Sequence, residues 1–288
     1  MKILVTGSNG QLGSEIRCLE SEYPKYKFTF TDLNSLDITS NCDLQLFFKD
    51  KSFDALINCA AYTNVDKAED DIESAYKVNF EAVKYLSEIC RQKKISMVHI
   101  STDYVFDGNK VDAYDENDFT NPESIYGKSK LEGEKIMKKI NPMNSIIIRT
   151  SWVFSKFGKN FVKTILRLIS EKEEFGVVSD QFGSPTNAAH LAKDIIRIIP
   201  KLKNKNVETF HYSNQGYCSW YDFALEILSY SKKKSKVKPI KTKNYITKAK
   251  RPFHSSLNSS KFITKFDIII PEWKTALNQI DFDKINLN

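Results

Sequence analysis

The chain lacks the residues of a disulfide-stapled or metal-built protein. Its five cysteines, Cys18, Cys42, Cys59, Cys90 and Cys218, are odd in number and irregularly spaced, with no Cys-x-x-Cys. They read as reduced thiols of a cytoplasmic protein. The four histidines are scattered, with no His-Glu-x-x-His or related spacing, so no metal ligand set is expected. No apolar run approaches the ~20 residues that span a bilayer, which excludes a helical membrane span. There is no internal repeat. Positive charge is in excess, with a net charge of +7, but much of it crowds into Lys232, Lys233, Lys234, Lys236, Lys238, Lys241 and Lys243. No aromatic residues are interleaved there as base-stacking platforms. The run therefore reads as a solvated loop beside a helix end, and no nucleic-acid partner is expected.

What is present is an apolar core and a regular rhythm. Hydrophobic residues make up 41% of the 288 positions and aromatics 12%, so disorder is excluded. Residues 2–6 form an apolar run that leads straight into a glycine turn, and this reads as a buried strand, not a signal peptide. Helical patterns near 12–20, 41–50, 72–92 and 125–139 alternate with strand patterns at 28–31, 55–58, 97–100 and 146–149. Strands that are apolar on both faces and alternate with helices predict a parallel sheet covered on both sides, an α/β doubly wound fold of Rossmann type. After about residue 150 the rhythm breaks. Helices near 159–172, 187–199 and 219–231 and short strands at 175–178 and 209–212 predict a smaller, irregular substrate-binding lobe over 151–288. Some of its segments are expected to return to the dinucleotide-binding domain of residues 1–150.

Gly7, Gly10 and Gly13 follow the first strand and open the first helix, the context a dinucleotide site requires. One glycine makes the turn, one admits the pyrophosphate, and one lets helix and strand pack closely. The second strand ends at Asp32, where a carboxylate meets the adenine ribose. It accepts from a 2′-hydroxyl and repels a 2′-phosphate, which favours NADH. Its local alternative is a residue that starts a strand-end turn.

Tyr-x-x-x-Lys occurs three times, at Tyr23/Lys27, Tyr126/Lys130 and Tyr230/Lys234. Tyr23 adjoins Pro24 in a loop, and Tyr230 leads into the lysine run. Only Tyr126 starts a helix after the fourth strand, on the edge where open α/β sheets bind ligands. On that helix Lys130 shares its face. A neighbouring ammonium is expected to draw the phenol pKa from ~10 toward neutrality. Thr102, at the end of the fourth strand, adds a hydroxyl to the site.

Gly7–Gly13, Asn58-Cys59-Ala60-Ala61, Ser101-Thr102-Asp103-Tyr104-Val105-Phe106-Asp107-Gly108 and Tyr126–Lys130 together resemble the extended short-chain dehydrogenase/reductases. Within them, further segments resemble the dTDP-4-dehydrorhamnose reductase branch: Val65–Glu69, Arg149–Phe154, Asp180-Gln181-Phe182-Gly183-Ser184-Pro185-Thr186, Arg251-Pro252 and Ser256–Asn258. These segments span almost the whole chain. The resemblance implies NADH- or NADPH-dependent reduction of the C4 keto group of a nucleotide-linked 6-deoxy-4-ketohexose. It carries Thr102, Tyr126 and Lys130 over as the catalytic set. Asn9, Gln11, Leu12, Asp37, Ile38, Ala60, Ala61, Tyr62 and Asn79 join the glycines, Asp32, Tyr126 and Lys130 as cofactor contacts. Thr102, Asp103, Tyr104, Trp152, Asn160 and Arg251 are carried over as substrate contacts. For Trp152 the alternative is a core aromatic, and for Arg251 a surface ion pair.

Some members are dimers bridged by Mg²⁺ through glutamates. Glu15 is present, but Pro185–His190 offers no second carboxylate, so no metal is expected and the chain reads as a monomer or homodimer. Two rival readings remain: another nucleotide-sugar reductase or epimerase, and a non-catalytic nucleotide-binding regulatory subunit. Asp103-Tyr104 after Thr102 disfavours a dehydratase, which would want an Asp-Glu pair there.

Overall fold

The computed structural model describes residues 1–231, 233–282 and 285. In chain order the first elements are β1 (Lys2–Thr6), α1 (Gln11–Cys18), β2 (Lys27–Thr31), α2 (Asn41–Lys49), β3 (Ala55–Asn58), α3 (Val65–Ala68), α4 (Ile72–Tyr76), α5 (Ala82–Lys93), β4 (Ser96–Thr102), α6 (Ile125–Ile140) and β5 (Ile146–Thr150). Then come β6 (Val153–Phe154), α7 (Phe161–Glu171), β7 (Glu174–Val178), β8 (Phe182–Gly183), β9 (Thr186–Asn187), α8 (Ala188–Ile198), β10 (Glu208–Tyr212) and β11 (Cys218–Ser219). The described elements end with α9 (Trp220–Tyr230), β12 (Lys236–Ile240), α10 (Ser260–Phe266) and α11 (Trp273–Asn278). Among the described residues, no helix is long and apolar enough to cross a membrane.

The central sheet has six strands in the order β10-β5-β4-β3-β1-β2, every neighbouring pair parallel. The chain runs outward in both directions from the β1/β3 junction, which is the topological switch point where such sheets bind ligands. Alternation along the strands separates two cores. Ile3, Val5, Ile57, Val98 and Ile148 face α1, α8 and α10, while Leu4, Leu56, Met97 and Ile147 face α2, α5 and α6. Ile3, Leu4 and Val5 are each fully buried, worth about 1.5–3 kcal/mol apiece. A third core, with Phe154, Ile165, Val177, Phe223, Val237 and Trp273, sits beside the sheet.

The expected strands and helices are present, with three differences. The helix expected over 72–92 is interrupted by a π-helical turn, Lys77–Glu81, between α4 and α5. The strand expected at 209–212 joins the central sheet, pairing with β5 from Glu208↔Ile146 to Tyr212↔Thr150. The lysine-rich stretch is partly a strand, since β12 pairs in parallel with β7. Val237 points inward there while Lys236 and Lys238 face out and pair with Glu174. Period-two alternation of Lys and Val accounts for this. Lys232 lies outside the described residues.

Candidate active site

The carboxyl ends of β1 to β5 open into one cleft of about 770 Å³. Of the expected cofactor residues, Gly7, Asn9, Gly10, Gln11, Leu12 and Asp32 line one arm, with Asp37, Ile38, Ala60, Ala61 and Tyr62 around it. Thr102, Asp103, Tyr104, Tyr126, Lys130 and Trp152 line the rest. Gly13, Asn79, Asn160 and Arg251 stand behind the wall, not on it.

The glycine turn is built for close approach. Gly7 has φ +65°, and a Cβ there would fall 2.5 Å from the Ala60 nitrogen, so only glycine lets the turn lie against the end of β3. The Gly10 N–H closes the turn on the Gly7 carbonyl at 3.1 Å. The first turn of α1 then faces the cleft with N–H groups that have no acceptor inside the helix, the arrangement that receives a pyrophosphate. These residues fit NAD(P)H. The Asp32 carboxylate accepts from the Asn9 amide and also from the Asn34 N–H at 3.2 Å, so it starts the strand-end turn while lining the cleft. Arg17 was not anticipated. Its guanidinium lies 4.4 Å over the Phe30 ring and donates to Ser8 Oγ at 2.9 Å, directly behind the turn.

Behind the wall, Asn79 projects from the π turn. Its carboxamide accepts from the Tyr62 N–H at 2.9 Å and donates to Ser129 Oγ at 3.0 Å. It therefore ties the loop after β3 to α6 and does not face the cleft.

Tyr126 and Lys130 ride on α6. Ser124 caps this helix by accepting from the Gly127 N–H at 3.1 Å. A Cβ on Gly127 would fall 2.2 Å from the Tyr104 carbonyl oxygen, so glycine lets the helix seat against the turn that follows β4. Thr102 acts on the Tyr126 hydroxyl from the end of β4, while its own hydroxyl donates to Asp103 Oδ1 at 3.0 Å. The Tyr104 and Tyr126 rings meet edge to face, 5.5 Å apart. Lys130 is buried, and its Nζ donates to the Ile100 carbonyl at 2.6 Å.

The electrostatics correct the expectation for the phenol. Burial pushes the Tyr126 pKa up, not down toward neutrality, and the Thr102 hydrogen bond offsets only part of that. Burial also lowers Lys130 to about 8, against the pull of Glu134. Desolvation outweighs the neighbouring charges because both groups lie inside the protein. Asp103 is pushed up to about 6 by burial, and its Oδ2 has no partner among the described residues.

On the substrate side, Trp152 has φ +47° and its ring stacks on Trp220 with centroids 3.4 Å apart. It is thus both a cleft wall and part of an aromatic stack. Arg251 donates to the Tyr104 hydroxyl at 3.0 Å and pairs with Asp66 at 2.7 Å, the ion pair weighed for it. Asn160 caps α7 through the Lys163 N–H at 3.1 Å, and its amide donates to Gln11 Oε1 at 3.0 Å. It therefore reaches the cleft only through Gln11. Glu15 is buried and accepts from Ser155 Oγ at 2.6 Å, a placement that does not fit a metal bridging two surfaces.

Residues 1–283 match the RmlD substrate binding domain family. The chain belongs to that family. It is 40% identical to a dTDP-4-dehydrorhamnose reductase of Aggregatibacter actinomycetemcomitans over 97% of this chain and 98% of the other. Among solved structures, the dTDP-4-dehydrorhamnose reductase of Clostridium acetobutylicum superposes with a TM-score of 0.91 at 42% identity, over 97% of this chain and 98% of that one. That of Bacillus anthracis, solved in complex with NADP, gives a TM-score of 0.91 at 37% identity over 98% and 99% of the two chains. The family assignment agrees with the six-stranded parallel sheet and with a cleft at its switch point.

Proposed function

We propose that this chain is an NAD(P)H-dependent reductase of a nucleotide-linked 6-deoxy-4-ketohexose, converting dTDP-4-dehydro-L-rhamnose to dTDP-L-rhamnose. One observation carries the reading: Thr102, Tyr126 and Lys130 share a cleft with the glycine turn and Asp32. Relatives named dTDP-4-dehydrorhamnose reductase, similar over nearly the full length of both chains, support the substrate class.

In this reading NAD(P)H supplies the hydride that the sugar carbon C4 accepts. As C4 becomes tetrahedral, its oxygen gains negative charge. The Thr102 hydroxyl donates to that oxygen, and Tyr126 passes its phenolic proton to it, leaving a phenolate that is reprotonated from solvent. Because burial raises its pKa, Tyr126 stays protonated at neutral pH, the form a donor needs. The Lys130 ammonium offsets the transient phenolate charge and holds the nicotinamide ribose. Trp152 gives the sugar an apolar wall.

The test is NADH and NADPH oxidation with a panel of nucleotide 4-ketosugars that varies the base and the sugar. Stoichiometric cofactor oxidation with the dTDP-linked 6-deoxy-4-ketohexose is expected. Sugar interconversion without net cofactor use would instead identify an epimerase. Cofactor binding without any turnover would identify a regulatory subunit.

A further inference from the structure

One helical turn beyond Lys130, Glu134 is 1% exposed and carries a charge that no step of the reduction uses. Its carboxylate accepts from Ser101 Oγ at 2.5 Å. It also takes a two-pronged contact from Arg149, with Nη2 at 2.7 Å and Nε at 2.9 Å. Arg149 is itself buried on β5, with Phe106 5.1 Å beneath its guanidinium and its Nη1 3.4 Å from His211 Nε2. Ser101 lies between Ile100, whose carbonyl holds Lys130, and Thr102. The cluster thus joins α6, which carries the proton donor, to β4, which carries the threonine hydroxyl, and to β5.

We propose that Glu134 is a positioning residue for the active site: anchored by Arg149 and Ser101, its carboxylate fixes α6 against β4 and keeps Lys130 charged in a buried setting. A buried ammonium loses its hydration and stays protonated only if fixed negative charge or dipoles replace that water.

Of the two acidic groups that act on Lys130, Glu134 and Cys59, Glu134 is the one held in an ion pair. Directly after β3, the Cys59 thiol is pushed up to about 12 by burial and is neutral. On β4, His99 is held well below its ordinary value by burial and is neutral. On α6, Tyr126 is raised and neutral, and Lys138 is lowered by burial. Arg149 compensates Glu134 from β5 without reaching Lys130 directly. Removing the Glu134 charge removes the largest influence that raises the Lys130 pKa against burial, so that pKa must fall.

The role rests on the reading of Lys130 as the active-site ammonium, and the test separates the two. Lysine side chains labelled with ¹³C at Cε are titrated by NMR in the cofactor-free protein, with Lys130→Met identifying the resonance. Wild-type Lys130 is expected to titrate near 8. In Glu134→Gln, which keeps the side-chain shape, the midpoint is expected to drop by about one pH unit or more. The alkaline limb of kcat should move with it. In Glu134→Asp, which keeps the charge, the midpoint is expected to hold within roughly 0.3 unit even if stability falls. An unmoved midpoint in a folded Gln variant overturns the proposal. So does a full-unit drop in the Asp variant, which serves alone if the Gln variant does not fold. A midpoint that drops while kcat at every pH stays at wild type upholds the coupling and overturns the catalytic reading of Lys130.

Discussion

The Asn9 side-chain amide donates to the Asp32 carboxylate, so one hydrogen bond joins the glycine turn to the end of β2. Asp32 is therefore held on the cleft wall, where in the proposed reading it meets the adenine ribose and opposes a 2′-phosphate by like charge. NADH is expected to be used at least as well as NADPH. Asp32→Ala should improve NADPH and weaken NADH, moving the ratio of kcat/KM values by about tenfold, the worth of one charged hydrogen bond. Measuring both cofactors in both proteins checks this. An unchanged strong preference for NADPH would show that Asp32 does not read the ribose, and Arg17 behind the turn would become the residue to examine.

Tyr126→Phe should lower kcat by on the order of 10²–10⁴, the usual worth of a placed general acid. Cofactor affinity should stay near wild type, since the phenol ring is retained. Tyr23→Phe and Tyr230→Phe are the controls. Tyr23 stacks on Tyr26 and Tyr230 on Phe282, both away from the cleft, so neither change should touch turnover. Steady-state kinetics on the three variants decides it.

Lys130 trades stability for chemistry. Its folded pKa of about 8 lies below the ordinary 10.5 because burial disfavours the ammonium. Between those values the unfolded chain binds more protons than the folded one, so this site makes stability rise with pH across that window. Below pH 8 the full penalty is present. Lys130→Met should therefore raise stability at pH 7, and the melting temperature with it, by up to about 3 kcal/mol at 1.36 kcal/mol per pH unit, less the lost Ile100 hydrogen bond. The same variant should bind NAD(P)H more weakly and lose turnover. Calorimetry against pH, beside cofactor titration, checks both halves, and a less stable variant at pH 7 would contradict the burial argument.

For Asp103 the sign is reversed. Its folded pKa of about 6 exceeds the ordinary 3.8, so the folded state binds the extra proton between those values and stability falls as pH rises through 6. Asp103→Asn should thus be more stable than wild type at pH 7. Thermal melts at pH 5 and 7 should converge in the variant.

The central sheet was legible because strands buried on both faces carry continuous apolar runs, as Ala55–Asn58 does. The cleft was legible because a doubly wound sheet places strand ends, and hence Gly7, Asp32 and Thr102, on one edge. The π turn was hidden because one widened turn leaves the apolar face of 72–92 nearly unchanged. The partner of Glu208–Tyr212 was hidden because strand neighbours are set by long-range packing. Asn160 carried a local signal that was overlooked, an asparagine directly before the helical run that begins at Phe161. The rise in the Tyr126 pKa was illegible because desolvation depends on what packs around the ring. Arg149 did leave a trace, a charge directly after the run Ile146-Ile147-Ile148 in a fully buried strand, but its partner Glu134 lies on another element.

The bonds from Ser155 to Glu15 and from Asn160 to Gln11 fasten the 155–160 loop to α1. That loop leads into α7 and its separate core, while Gln11 and Leu12 in the first turn of α1 line the cleft. The two halves of the binding cleft are therefore riveted at its base. Any swing of the outer layer must either shear both rivets or drag the glycine turn along with it.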